Sequence, residues 1–217
     1  MVEFYVGEAL IGEAPNLAHI DMMIGSKDGP VATAFANSIS TPSKGHGGLL
    51  ACIRPNLLPK PYTLIIPKVT VVKMEEANKI FGPAQAAVAK GVADAVEEGI
   101  IPKKKIDDWI IVASVFIHPE ATDYRKIYQF NYGATKLAIK RALENYPPLE
   151  KIFYDKDRAK HPVAGMRVPR LWRPPYIQVA LDHPSISHHS KVVPKLPKSD
   201  RLILEIGTPF LKKYGME

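Results

Sequence analysis

The stretch NLAHIDMMIG, residues 16–25, constrains the fold more than any other part of the chain. Read as a β-strand, it sends alternate side chains to opposite faces. Ala18, Ile20, Met22 and Ile24 form one wholly apolar face. Leu17, His19, Asp21 and Met23 form the other, which carries an imidazole and a carboxylate two positions apart. A strand of this kind needs a packed layer on its apolar side and tolerates polar groups on the other.

The neighbouring segments extend this pattern. Phe4 to Ile11 is predicted as a partner strand, joined to Leu17–Ile24 by a turn containing Gly12 and Pro15. A helix is predicted in SKDGPVATAFANSIS, with Asp28 as N-cap, Pro30 in the first turn, and Val31, Ala34, Phe35 and Ile39 at helical spacing. GGLLACI and YTLIIPKVTV read as strands, the second interrupted by Pro67 or placed at an edge. In MEEANKIFGPAQAAVAKGVADAVEEGI, Ala84, Val88, Val92 and Val96 recur every fourth residue. Gly82-Pro83 either starts that helix or kinks it, and Gly99 and Pro102 end it. DDWIIVASVFIHP reads as a long apolar strand, and DYRKIYQFNYGATKLAIKRAL as a second long helix with Ile127, Phe130, Leu137 and Leu143 inward. This order predicts an α/β (α+β) chain built as a two-layer sandwich, a sheet with helices on one face.

Composition narrows the function classes. The 217 residues are 46% hydrophobic and 24% charged, enough to bury a sizeable core. No apolar run approaches the roughly 20 residues of a membrane span, so no membrane association is expected. The opening MVEFYVGEAL has no basic region ahead of an apolar core, and Cys52 is the single cysteine. A cytoplasmic protein without disulfides or a Cys-rich zinc site is therefore expected. The net charge is +7, but the lysines are dispersed and not interleaved with aromatics. That pattern argues against a nucleic-acid partner.

His19 and Asp21 admit two readings. One is a half-buried histidine bonded to backbone beside a solvated carboxylate. The other is a general acid next to a carboxylate that positions it or a ligand; at about 6.6 Å spacing the two can flank one molecule. Lys68 and Thr70 share a strand face by alternation, where a lysine can also serve only to guard an edge. Gln85 falls in the first turn after Gly82-Pro83, either at a ligand or on the surface. His118 ends a buried strand, a place for a catalytic group or simply a terminator. His183, His188 and His189 lack a third ligand at suitable spacing and are expected to be solvated, so no metal is expected. No phosphate loop, dinucleotide fingerprint or serine elbow is present.

VGEALIG, NLAHIDMMIG, GPVATAFAN, NKIFGPAQAAVAKGVADAVEEGIIP, VFIHPEATD and NYGATKLAIKRAL together resemble the formaldehyde-activating enzyme family. The resemblance covers roughly residues 3 to 160, most closely up to 145, with AHID and FGPAQ its most specific segments. It implies condensation of formaldehyde with tetrahydromethanopterin to the methylene derivative and water. It also implies a homopentamer with sites between subunits, and a fold like the second domain of a small-subunit ribosomal protein. By the same resemblance His19 is the proton donor, and Asp21, Leu50, Lys68, Thr70 and Gln85 bind the pterin. The loop STPSKGHGG departs from the family pattern, which bears on the contacts at the pterin edge. A non-catalytic pterin-binding relative and an RNA-binding protein on the ribosomal-type fold are the competing classes.

After Tyr146 the composition shifts to proline and charge. Residues 149–175 read as a linker after a formaldehyde-activating domain at 1–148. YIQVALD and LILEIGTPFLKKYG, within 176–217, resemble the opening of hexulose-phosphate synthase, a (β/α)₈ barrel that some archaeal proteins fuse to a formaldehyde-activating domain. Asp182 and Glu205 then sit at strand ends, where barrels place active residues. A barrel needs about 200 residues or more, so the segment is expected to be an incomplete, truncated or split fusion without aldolase activity. An alternative is that the chain is the formaldehyde-activating half of a bifunctional enzyme that also handles hexulose 6-phosphate.

Overall fold

The structure is a computed structural model that describes residues 2–156, 177–199 and 201–214. It divides into two compact units, Met1–Pro148 and Leu149–Glu217.

The first unit is built on a five-stranded mixed sheet. In chain order its strands are β1 (Phe4–Ile11), β2 (Ala18–Ser26), β3 (Leu49–Leu50), β4 (Tyr62–Pro67) and β5 (Trp109–Ile117). They lie side by side as β1-β2-β5-β4-β3. β4 and β5 run parallel and every other pair antiparallel. Its helices are α1 (Pro30–Ser40), α2 (Met74–Lys79), α3 (Gln85–Glu97) and α4 (Tyr124–Leu143).

Register follows from the β2 pattern, because a slip by one residue would turn its four apolar side chains to solvent. Ala18, Ile20, Met22 and Ile24 join Ile111, Ala113, Val115 and Ile117 of β5 in the main core. Ala84, Val88 and Val92 close that core from the α3 side, and Ala134, Ala138, Ile139 and Ala142 from α4. The small residues let α4 lie close on β1. A Cβ at Gly7 would stand 2.0 Å from the Ala138 carbonyl oxygen and 2.8 Å from the Ala142 nitrogen, so only glycine fits there.

The helix over 74–97 is continuous, but Ile80–Ala84 forms a π-helical turn. Pro83 has no N–H to give to the ladder. The wider turn absorbs the kink expected at Gly82-Pro83.

Four expectations change. Gly29, not Asp28, is the N-cap of α1, with Pro30 at its first position. α1 lies on the opposite face from α3 and α4: Val31, Ala32 and Phe35 pack on Met23, Ile66, Ile110 and Val112. Helices therefore cover one face fully and the second only at one end. Of GGLLACI, only Leu49 and Leu50 pair as strand, opposite Ile65 and Leu64. β4 ends at Pro67, so the alternation predicted to place Lys68 and Thr70 on one strand face does not exist.

The second unit contains α5 (Leu149–Asp155), β6 (Ile177–Leu181), α6 (Ile186–Val192), β7 (Leu202–Ile206) and α7 (Thr208–Tyr214). β6 and β7 pair in parallel as a two-stranded sheet, and no barrel is formed among the described residues. The segment expected as a linker opens with α5, and its remainder from 157 to 175 lies outside the described residues. The stretch between β6 and β7, which has no clear periodicity, nonetheless forms α6.

Candidate functional site

β2 carries His19 and Asp21 onto the sheet face that α1 leaves open. The strand register supplies their neighbours: Glu8 of β1 and Ser114 of β5 lie opposite Asp21, while Leu10 and Phe116 flank His19. Glu8 Oε1 stands 2.8 Å from His19 Nε2, and Asp21 Oδ1 stands 3.5 Å from the same atom. Nε2 is itself enclosed and, apart from these ion-pair contacts, makes no hydrogen bond of good geometry. The imidazole is about one-third exposed. Its exposed part faces the open side of the sheet, while Nε2 is held between the two carboxylates.

Lys68 reaches back from just beyond β4, its Nζ 2.6 Å from Asp21 Oδ2. Its position follows from the ladder, which extends one bond past β4 through the Lys68 N–H to the Val115 carbonyl. Arg141 of α4 anchors the other carboxylate. Its Nη1 donates to the Glu8 carbonyl oxygen at 2.7 Å and lies 3.5 Å from Oε2. β1 is an edge strand, so this guanidinium also caps a carbonyl at the sheet margin. The result is a chain of contacts, Arg141–Glu8–His19–Asp21–Lys68, in which two cation–carboxylate pairs flank one imidazole.

Of the six residues singled out from sequence, the structure gathers three, His19, Asp21 and Lys68. Thr70 lies beyond them along the same loop, on a cavity of about 170 Å³ lined also by Glu76, Lys79, Ile80, Ile117 and His118. Leu50 is on β3, three strands from β2 or about 14 Å across the sheet. Its register partner Leu64 lies opposite Val112, which faces the same side as His19. Gln85 is buried at the start of α3, where its Nε2 donates to Cys52 Sγ at 3.0 Å and its Oε1 has no partner. No hydrogen bond or ion pair among the described residues joins Leu50, Thr70 or Gln85 to the His19 cluster.

Glu8 and Arg141 were not singled out from sequence. Glu8 interrupts an apolar alternation in VGEAL. Its importance needs the hairpin register that sets it opposite Asp21. Arg141 is far away in sequence and carries no local signal.

The second unit has a histidine cluster of its own. The rings of His183 and His188 stack at 4.1 Å, and His189 Nε2 contacts the His183 carbonyl oxygen at 2.6 Å. Burial, with the charge of nearby His183, His189 and Lys191, holds the His188 imidazole below its ordinary pKa. Asp182 follows β6, and Glu205, within β7, accepts a hydrogen bond from Gln178. Among the described residues no group of three or more His, Cys, Asp or Glu side chains is placed to hold a metal ion. No helix among them is long and apolar enough to cross a membrane.

Comparison with known proteins places this arrangement in context. The family model described as "Formaldehyde-activating enzyme (Fae)" matches residues 6–164. Similar proteins carry the name Bifunctional enzyme Fae/Hps. The one from Methanococcoides burtonii is 59% identical over 212 residues, covering 98% of this chain and 54% of that protein. The one from Methanosarcina acetivorans is 58% identical over 214 residues, covering 99% and 55%. The one from Archaeoglobus fulgidus is 55% identical over 216 residues, covering 100% and 55%. The chain thus spans about half the length of the curated relatives it matches, and similarity extends through its second unit as well as its first. A match of this extent settles the lineage, and the chain belongs to the formaldehyde-activating enzyme family.

Proposed function

We propose that the chain is a hydro-lyase that condenses formaldehyde with tetrahydromethanopterin, giving the methylene derivative and water, with His19 as general acid. One observation carries the reading. In a member of this family, a partly exposed imidazole on an open sheet face is held between two carboxylates that Arg141 and Lys68 anchor.

The chemistry asks for such a group. A secondary amine of the pterin adds to formaldehyde to form a carbinolamine, in which the carbon holds one hydroxyl. Expulsion of hydroxide is slow, so a proton from His19 lets the oxygen leave as water. The neighbouring aryl nitrogen then closes the iminium and releases its own proton, which restores the imidazole. Both reactants combine without help in solution, so much of the acceleration comes from holding them together. Asp21 accepts from a pterin N–H, and Lys68, 2.6 Å from its Oδ2, orients that carboxylate. Glu8, held by Arg141, fixes the ring.

Leu50, Thr70 and Gln85 complete the pterin site in this reading, contributed between neighbouring subunits of a homopentamer. Exposed apolar side chains on the β1 part of the open face, Phe4 at 48% and Val6 at 53%, support a surface that another subunit covers. The likeness to a ribosomal-protein domain belongs to the same reading. A second one concerns residues 177–214. The parallel pairing of β6 and β7 around α6, and the name Bifunctional enzyme Fae/Hps carried by the relatives, favour a hexulose-phosphate synthase-like segment within a bifunctional enzyme.

The test is the rate of methylene-pterin formation at low formaldehyde, with and without the protein. Acceleration proportional to protein concentration supports the lyase. Tight pterin binding without acceleration would instead identify a binding protein.

A further inference from the structure

The loop STPSKGHGG carries His46, and both of its ring nitrogens are engaged. Nδ1 lies 2.9 Å from the Pro67 carbonyl oxygen, and Nε2 lies 3.0 Å from Thr70 Oγ1. A carbonyl oxygen can only accept, so Nδ1 carries the hydrogen. In the neutral ring Nε2 is then an acceptor, and the Thr70 hydroxyl must spend its hydrogen on it. What Thr70 has left for a ligand is lone pairs.

The arrangement is built into the loop. Gly45 takes φ +76, and a Cβ there would stand 2.5 Å from the Thr70 methyl carbon. The Val71 N–H donates to the Gly45 carbonyl at 2.8 Å, and the His46 N–H donates to the Ser43 carbonyl at 2.9 Å. The loop therefore presses on Thr70 and fixes the imidazole against it.

His118 lines the same cavity as Thr70. Its Nδ1 accepts the Glu120 N–H at 3.2 Å, so in the neutral ring the hydrogen sits on Nε2, which has no other hydrogen bond. The charged groups lining the cavity are engaged elsewhere. Lys79 donates to the Pro119 carbonyl and pairs with Glu75, and Glu76 Oε2 accepts from the Val72 and Lys73 N–H groups. Thr70 thus offers the cavity an acceptor and His118 a donor.

We propose that this cavity recognises a cyclic amide edge, an N–H beside a C=O, with His46 the positioning residue that makes Thr70 the acceptor and His118 the donor. A reduced pterin presents such an edge on its pyrimidine ring. The inference rests on the pterin reading above and deepens it.

Steady-state kinetics of the full chain, varying tetrahydromethanopterin at fixed formaldehyde, test it. His46→Ala and Thr70→Val are each expected to raise the pterin KM about tenfold, the loss of one hydrogen bond, with kcat within about twofold. The double variant is expected to be no worse than Thr70→Val alone, because His46 acts through Thr70. His46→Gln, whose Oε1 can accept from Thr70, is expected to reverse most of the rise in KM caused by His46→Ala. His118→Ala is expected to multiply with Thr70→Val. Independently of any activity, ¹⁵N NMR of the His46 ring is expected to show a protonated Nδ1 and a bare Nε2. An unchanged KM in His46→Ala, multiplying effects of His46→Ala and Thr70→Val, or a hydrogen on Nε2 overturns the inference while leaving the pterin reading intact. A chain that neither binds nor converts the reduced pterin overturns both.

Discussion

The two faces of the sheet use the same strands for opposite purposes. On one, β2 contributes Ala18, Ile20, Met22 and Ile24, none more than 1% exposed, against helices brought near by glycine and alanine. On the other, β2 contributes His19 and Asp21, which stay accessible and are tied sideways to Glu8, Lys68 and Arg141. The contrast teaches that the packed face holds the backbone still, so that the open face can align an imidazole between two carboxylates. A defect on the packed side should therefore unfold the unit, and one on the open side should slow the reaction and spare the fold.

The largest effect is expected at Gly7. Gly7→Val forces a side chain into the backbone of α4 and is expected to cost about 4 kcal/mol or more, read as loss of folded protein or a large fall in Tm. A variant that melts like the unsubstituted chain would mean that α4 does not press on β1 as described. Next come the open-face carboxylates. Asp21→Asn removes the charge that anchors Lys68 and weakens the acceptor proposed for the pterin, and is expected to raise the pterin KM tenfold or more while Tm changes little. Glu8→Gln keeps the shape but weakens the hold on His19, with kcat expected to fall about threefold to tenfold at unchanged KM. If Asp21→Asn unfolds the protein, the division of labour between the faces fails.

The smallest expected effect is a pH dependence on the packed side. The Lys90 ammonium, and then the Tyr132 hydroxyl, hold the Asp94 carboxyl below its usual range, against the opposing effect of burial. Because the folded pKa is depressed, this tie is fully present above the ordinary carboxylate pKa of about 3.9. It is lost as pH falls through the folded value. Asp94→Asn is therefore expected to flatten part of the acid-induced fall in Tm and to leave kcat unchanged.

Some of this was legible in the sequence because it depends on nearest neighbours. The alternation in NLAHIDMMIG gives β2 and both its faces, and the every-fourth-residue pattern from Ala84 gives α3. His19 and Asp21 stand out as polar residues on an apolar strand. Glu8 could be seen only through hairpin register, and Arg141 only through the docking of α4. Alternation misplaced Lys68 and Thr70, because Pro67 ends β4 and the loop carries Lys68 to Asp21 and Thr70 to a separate cavity. The placement of α1 on the second face was hidden for another reason: apolar spacing gives a helix its buried stripe but not the side of the sheet it meets.

The central claim is that His19 passes a proton to the departing oxygen. Its most direct measure is a single-turnover comparison of the unsubstituted full chain with His19→Gln, holding formaldehyde and tetrahydromethanopterin at saturation and following the methylene product. The account expects the substituted chain to keep its pterin affinity and Tm while its dehydration step slows by about a hundredfold or more. Equal single-turnover rates in the two proteins would contradict it.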